Sequence, residues 1–169
     1  MYKYILRGTK NFNANSMTVY SGKMSGNKLS MLTKQSNKFI LSDKVGCLYL
    51  GDFETKDQSR FNSLKNVYNA YWSQISTVQI PHHGSSHNFY KDLAWSDSIS
   101  IISTGFRYKH PSSQVVKEIV KQNSWLGLVT KNNNTKVTQC IKSCKIKSLA
   151  CISSEVDDLL QDKYPECFI

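Results

Sequence analysis

The feature that most restricts how this chain can fold is a series of short apolar runs, each ending in a polar loop, with helical patterns between the later ones. Residues 17–20, 47–50, 75–80, 98–102 and 126–130 are rich in apolar and β-branched residues and too short for helices, which predicts strands. Phe61, Leu64, Tyr68 and Tyr71 recur at helical spacing with Asn and Lys among the intervening residues, so one helix face is apolar and the other wet. Val115, Val116, Ile119 and Val120 form a second stripe, for which Ser112 or Ser113, after Pro111, offers an N-cap. A short third helix is expected around residues 89–94, a further strand over 136–141, and one or two hairpin strands within the polar stretch 21–46. Strands first, then strands alternating with helices, predict an α/β fold, α+β in its layering, with helices packed on a sheet.

A chain of 169 residues that is 40% apolar can bury one core and is too short to suggest two. One folded domain is expected over residues 1–152, followed by an acidic tail, 153–169, that is either a short helix or disordered. No run approaches the roughly 18 apolar residues of a membrane span. Residues 1–10 lack the apolar stretch and cleavage pattern of a signal peptide, so a soluble, cytoplasmic protein is expected. The five cysteines (Cys47, Cys140, Cys144, Cys151 and Cys167) have no paired, tight spacing and read as reduced thiols. Cys140, Cys144 and Cys151 could give three thiolates to zinc, but no CxxC pair anchors such a site, and ordinary strand and loop positions are the simpler reading.

The net charge of +10 is unevenly placed. The tail holds five acids against Lys163, leaving 21 basic and seven acidic residues before it, a balance of +14. Such a surplus favours polyanionic partners, nucleic acid above all, because each neutralised phosphate releases counterions. A solvated surface in a Lys-rich and Asn-rich proteome is the bland alternative.

All four histidines fall in one stretch: His82, His83, His87 and His110. The first three sit in Pro81-His82-His83-Gly84-Ser85-Ser86-His87-Asn88, directly after an apolar run, so their rings project from a loop at a strand end, where a rigid sheet commonly holds functional groups. An isolated His-His pair is more often structural, one ring bonded to a carbonyl and the other facing water. Its context differs here. Thirty residues earlier, the run 47–50 ends abruptly in Gly51-Asp52, where glycine permits the turn and Asp52 supplies a hard oxygen ligand that two cations can share.

Three blocks together carry a resemblance: Gly51-Asp52-Phe53-Glu54, then Pro81-His82-His83-Gly84-Ser85, then Ile101-Ile102-Ser103-Thr104-Gly105 with His110-Pro111. In this order and spacing they resemble the metallo-β-lactamase-like domain of bacterial competence DNA-uptake proteins and their free-standing hydrolase relatives, over about residues 12–141. Residues 13–20 are also similar to that family's strand before the Gly-Asp block. The resemblance implies half of a metallo-β-lactamase αββα sandwich. It further implies that Asp52 bridges or contacts the metals, that His82 or His83 completes the shell of the second metal, and that His110 helps hold substrate. His110 stands just before a helix N-terminus, which suits an anionic group.

The family pattern also contains an upstream His-x-His-x-Asp-His block that supplies most of the ligands. No histidine precedes His82, so this sequence lacks that set. A truncated product, a split-gene half and a segment of a longer protein all agree with this. The stretch 21–46 is longer than the usual link, and His87-Asn88 displaces the family's second serine. The complete fold is expected to hold two zinc ions, with manganese as an alternative, and to cleave phosphodiesters of nucleic acid. This chain alone is expected to be incomplete or inactive unless a polypeptide supplies the N-terminal half. The competing expectation is a non-enzymatic module, derived from that fold, that binds nucleic acid or protein. An acyl-transfer enzyme built on Ser85 or Ser86 is disfavoured, since neither serine lies in a GxSxG elbow.

Overall fold

The computed structural model describes residues 16–23, 29–105 and 110–143. The acidic tail, the thiols of Cys144, Cys151 and Cys167, and the start of the 13–20 stretch lie outside the described residues. Every apolar run expected to be a strand is one, displaced by a residue or two. A five-stranded sheet has the order β1 (Val19–Ser21), β4 (Gly46–Tyr49), β5 (Ile75–Gln79), β6 (Ile99–Ser103) and β7 (Trp125–Val129). β1 runs antiparallel to β4, with Val19 opposite Tyr49, and β4 through β7 are parallel. The polar stretch 21–46 supplies a hairpin, β2 (Leu29–Gln35) and β3 (Lys38–Ser42), which β8 (Thr138–Ser143) extends into a three-stranded antiparallel sheet of order β3-β2-β8.

The strongest apolar runs become inner strands because parallel strands are covered on both faces. In β5, Ile75, Ser76, Thr77 and Val78 are all buried. Helix α1 (Gln58–Val67) begins where the Asp57 side chain accepts a hydrogen bond from the Arg60 N–H at 2.9 Å, which satisfies an otherwise orphaned donor. Phe61 and Leu64 are buried as their stripe predicts, but the helix stops at Val67. Tyr71 therefore lies past the helix end, stacked on Tyr20 with ring centroids 4.9 Å apart. In helix α2 (Ser113–Lys121), Ser112 takes the N-cap position, Val115 and Ile119 are buried, and Val120 is exposed. The expected third helix is a single 3-10 turn, Lys91–Leu93.

Strand alternation sorts the side chains into three layers. Leu48, Val78, Ile80 and Ile102 face the helices and join Phe61, Leu64, Val115 and Ile119 in one buried cluster, each large side chain contributing about 1.5–3 kcal/mol. On the opposite face Ile99 packs with Met31 of β2 and with Val45. Between the two sheets the Gln139 amide donates to Thr33 Oγ1 at 3.1 Å and Thr77 Oγ1 at 2.8 Å. The result is a layered α/β fold, α+β in its mixed sheets: helices, parallel sheet, antiparallel sheet. Among the described residues no helix is long and apolar enough to cross a membrane.

Candidate metal centre

Both motif loops leave the carboxyl ends of neighbouring parallel strands, so the sheet itself brings them together. β4 runs into buried Leu50, and Gly51 then turns at φ +53°, a left-handed conformation that costs glycine little. The Phe53 N–H closes this turn on the Leu50 carbonyl at 2.9 Å, leaving Asp52 exposed. Next to it, β5 continues through buried Ile80 and Pro81 into a left-handed turn in which His82, His83 and Gly84 have φ of 46°, 56° and 81°. Non-glycine residues held there cost roughly 1–3 kcal/mol each and persist only where surrounding structure enforces them. The enforcing contacts are three hydrogen bonds: Gly84 N–H to the Pro81 carbonyl at 3.0 Å, Ser85 N–H to the His82 carbonyl at 3.0 Å, and His82 N–H to the Gly51 carbonyl at 2.8 Å. The last of these ties the His-His loop to the residue before Asp52, so the two expected ligand segments are adjacent.

His110 joins them through the third block. A Cβ on Gly84 would come within 2.8 Å of Pro111 Cβ and 3.3 Å of Ile102 Cδ1, so only glycine lets the chain around Pro111 seat here. The Ser112 N–H donates to the Gly84 carbonyl at 3.0 Å, and Thr104 Oγ1 donates to the His110 carbonyl at 3.1 Å. The His82 ring consequently lies 5.7 Å from the His110 ring and 6.2 Å from the His83 ring. Asp52, His82, His83 and His110 thus share one rim, at the carboxyl ends of the strands.

The environment of His83 defines its chemistry further. Its Nδ1 lies 2.7 Å from the Ser103 carbonyl oxygen, and because a carbonyl can only accept, Nδ1 carries the proton. In the neutral ring this leaves the Nε2 lone pair outward, the arrangement in which a backbone carbonyl orients a metal-ligating imidazole. An oriented imidazole and an exposed carboxylate on one rim fit part of the donor set of a zinc site. Among the described residues, no three His, Cys, Asp and Glu side chains form a group that could hold a metal ion.

Two features were not expected from the sequence. A cavity of about 710 Å³ opens between the sheets, lined by Cys47, Tyr49, Gln79, Ser103, Lys136 and Val137 among others. It meets the rim at Ser103, the residue whose carbonyl holds His83. On its wall the Cys47 thiol beside Tyr49 pushes the phenol pKa up to about 12, and burial raises that of Cys47. The second feature is Asn88, whose side chain is buried between the motif loops. Strand periodicity could have pointed to part of the cavity lining, since Cys47 and Tyr49, Gln79, and Ile101 and Ser103 are alternates of β4, β5 and β6, but nothing in the sequence singles out Asn88. No protein-family model, curated protein or solved structure matches the chain, so fold and geometry alone ground a functional reading.

Proposed function

We propose that this chain forms one flank of a two-metal phosphodiesterase acting on nucleic acid, with further metal ligands supplied by polypeptide outside this sequence. The observation that supports the reading is the adjacency of the Asp52 and His82–His83 loops, joined by the His82–Gly51 hydrogen bond, with the His82 and His110 rings 5.7 Å apart where Pro111 seats on Gly84. The helix, sheet, sheet layering agrees with one side of the αββα sandwich implied by the resemblance to metallo-β-lactamase-fold hydrolases.

Asp52 would offer a shared oxygen and His83 its Nε2. Two cations about 3.5–4 Å apart, zinc or manganese, would supply an activated water and neutralise the attacking and leaving oxygens. His110 would hold a phosphate oxygen beside the start of α2, where Ser112 makes no side-chain capping bond and the helix dipole favours an anion. The basic surplus would draw in the nucleic-acid backbone.

A zinc site needs about three protein ligands with an open water position, so the chain alone should bind zinc or manganese weakly and turn over little phosphodiester. Adding a polypeptide that carries a His-x-His-x-Asp-His block should restore tight metal uptake and DNA cleavage, and Asp52→Asn should abolish both. Robust cleavage by the chain alone would refute the ligand count.

The net charge of +10 favours one alternative, a binding module without catalysis. That module would bind DNA with an affinity that falls steeply with salt and would retain none of the added metal. A reconstituted pair that stays inert would decide for it.

A further inference from the structure

We propose that Asn88 is the positioning residue of this centre, a clasp that fixes Asp52 relative to the His82–His83 turn; the inference rests on the metal-site reading above. Asn88 is only 4% exposed, and its Nδ2, its backbone carbonyl and its backbone N–H are each engaged with one of the two motif loops. Its Nδ2 donates to the Asp52 carbonyl at 3.1 Å. Its own carbonyl accepts from the Thr55 N–H at 3.1 Å and from Thr55 Oγ1 at 2.6 Å, and Thr55 is fully buried. Its N–H donates to the Ser85 carbonyl at 3.2 Å, directly after His82-His83-Gly84. The loop from Asp52 to Thr55 is therefore pinned at both ends to one residue of the other loop.

This arrangement answers a physical need. Asp52 is exposed on a turn and would otherwise sample many orientations, whereas a ligand must be held within a few tenths of an ångström of its productive place. The Arg60 guanidinium lies over the Phe53 ring at 4.7 Å, and its Nε donates to the Glu54 carbonyl at 3.1 Å. These contacts steady the middle of the loop but do not join it to the histidine turn. Among the described residues Asn88 and the His82–Gly51 hydrogen bond do that, and of the two Asn88 holds the loop at both Asp52 and Thr55. Outer contacts of this kind commonly change metal affinity 10–100-fold when removed.

The test uses the full chain and Mn²⁺ alone, read by paramagnetic broadening of amide and imidazole NMR resonances. In the wild type, Asp52 and His83 resonances should broaden together with one apparent Kd. In Asn88→Ala the apparent Kd should rise at least about tenfold, and His83 should broaden without Asp52. Asn88→Asp, which keeps size and backbone contacts while removing the donor, should behave likewise and serves if the alanine variant folds poorly. The Asp52→Asn background supplies the readout that general destabilisation would not move. There Asn88→Ala should cause no further weakening, because the two residues act through one ligand.

Weakening that persists undiminished in that background, or coupled broadening that survives both Asn88 variants, would overturn the proposal while leaving the metal reading standing. Wild-type broadening that ignores both Asp52→Asn and His83→Ala would overturn the metal reading and the clasp together.

Discussion

The two faces of the parallel sheet are built differently. The helix-facing side is closed by apolar packing: Leu48, Val78, Ile80 and Ile102 are completely buried against α1 and α2. The opposite side mixes a small apolar cluster, Met31, Val45 and Ile99, with a bridging amide and a cavity of about 710 Å³. Beyond the three-stranded sheet, among the described residues, this face is more open, with Val19 43% and its cross-strand neighbour Tyr49 45% exposed. The helix side therefore supplies most of the stability. The other side keeps room and polar groups beside the histidine rim.

Truncations should separate the two faces most sharply. Leu48→Ala and Ile102→Ala should each cost about 2–5 kcal/mol in urea unfolding, while Val19→Ser, at an exposed position of β1, should stay within about 0.5 kcal/mol. Similar losses at all three positions would break the comparison. A smaller effect should come from the bridge between the sheets. Gln139→Ala leaves the buried hydroxyls of Thr33 and Thr77 short of a donor and should cost about 1–3 kcal/mol, whereas replacing all three by apolar residues of similar shape should be nearly neutral. If the single substitution costs nothing, water already replaces the amide and the layer is looser than drawn.

The smallest effect should appear only in alkali. Cys47 and Tyr49 hold their protons more tightly in the folded chain than at their ordinary values of 9.0 and 10.0, Tyr49 up to about 12. Both are neutral acids whose folded pKa is raised, so the unfolded chain releases protons first as pH rises. Their contribution to stability should be complete below pH 9 and fade towards pH 12. Tyr49→Phe with Cys47→Ser should flatten that decline in pH-dependent melts, and an unchanged slope would place its origin elsewhere.

The parallel strands were legible because burial on both faces writes short runs rich in apolar and small or β-branched residues without charge, as at residues 75–80. The β2–β3 hairpin was legible only as a region, since its polar alternates, such as Thr33 and Gln35, conceal its edges. The first helix stripe overran its element because Tyr71 is apolar for another reason, its stack on Tyr20. The site blocks stood out by composition, but their geometry did not. Nothing in the letters places His82 and His83 at positive φ, aims Nδ1 of His83 at Ser103, or sets Asn88 between the loops. Those features depend on contacts between segments tens of residues apart.

The antiparallel sheet has a consequence for how the chain is made. Its central strand, β2, pairs with β8, where Gln139 also donates to Thr33, 106 residues away, and the sheets are tied by Gln35 to the Leu128 carbonyl, 93 residues apart, and Gln139 to Thr77, 62 apart. A ribosome delivers β2 and β3 early and β8 after β4 to β7, so the β2 edge of the hairpin waits unpaired while every parallel strand emerges. Long-range pairing of this kind slows folding, and an open edge in the interval invites pairing with other chains. The exposed Lys38 at the start of β3 and the Lys34 ammonium over the Phe39 ring put charge on that hairpin, the device by which strands discourage such encounters. Nascent chains stalled before Thr138 should thus be the form of this protein most prone to aggregate.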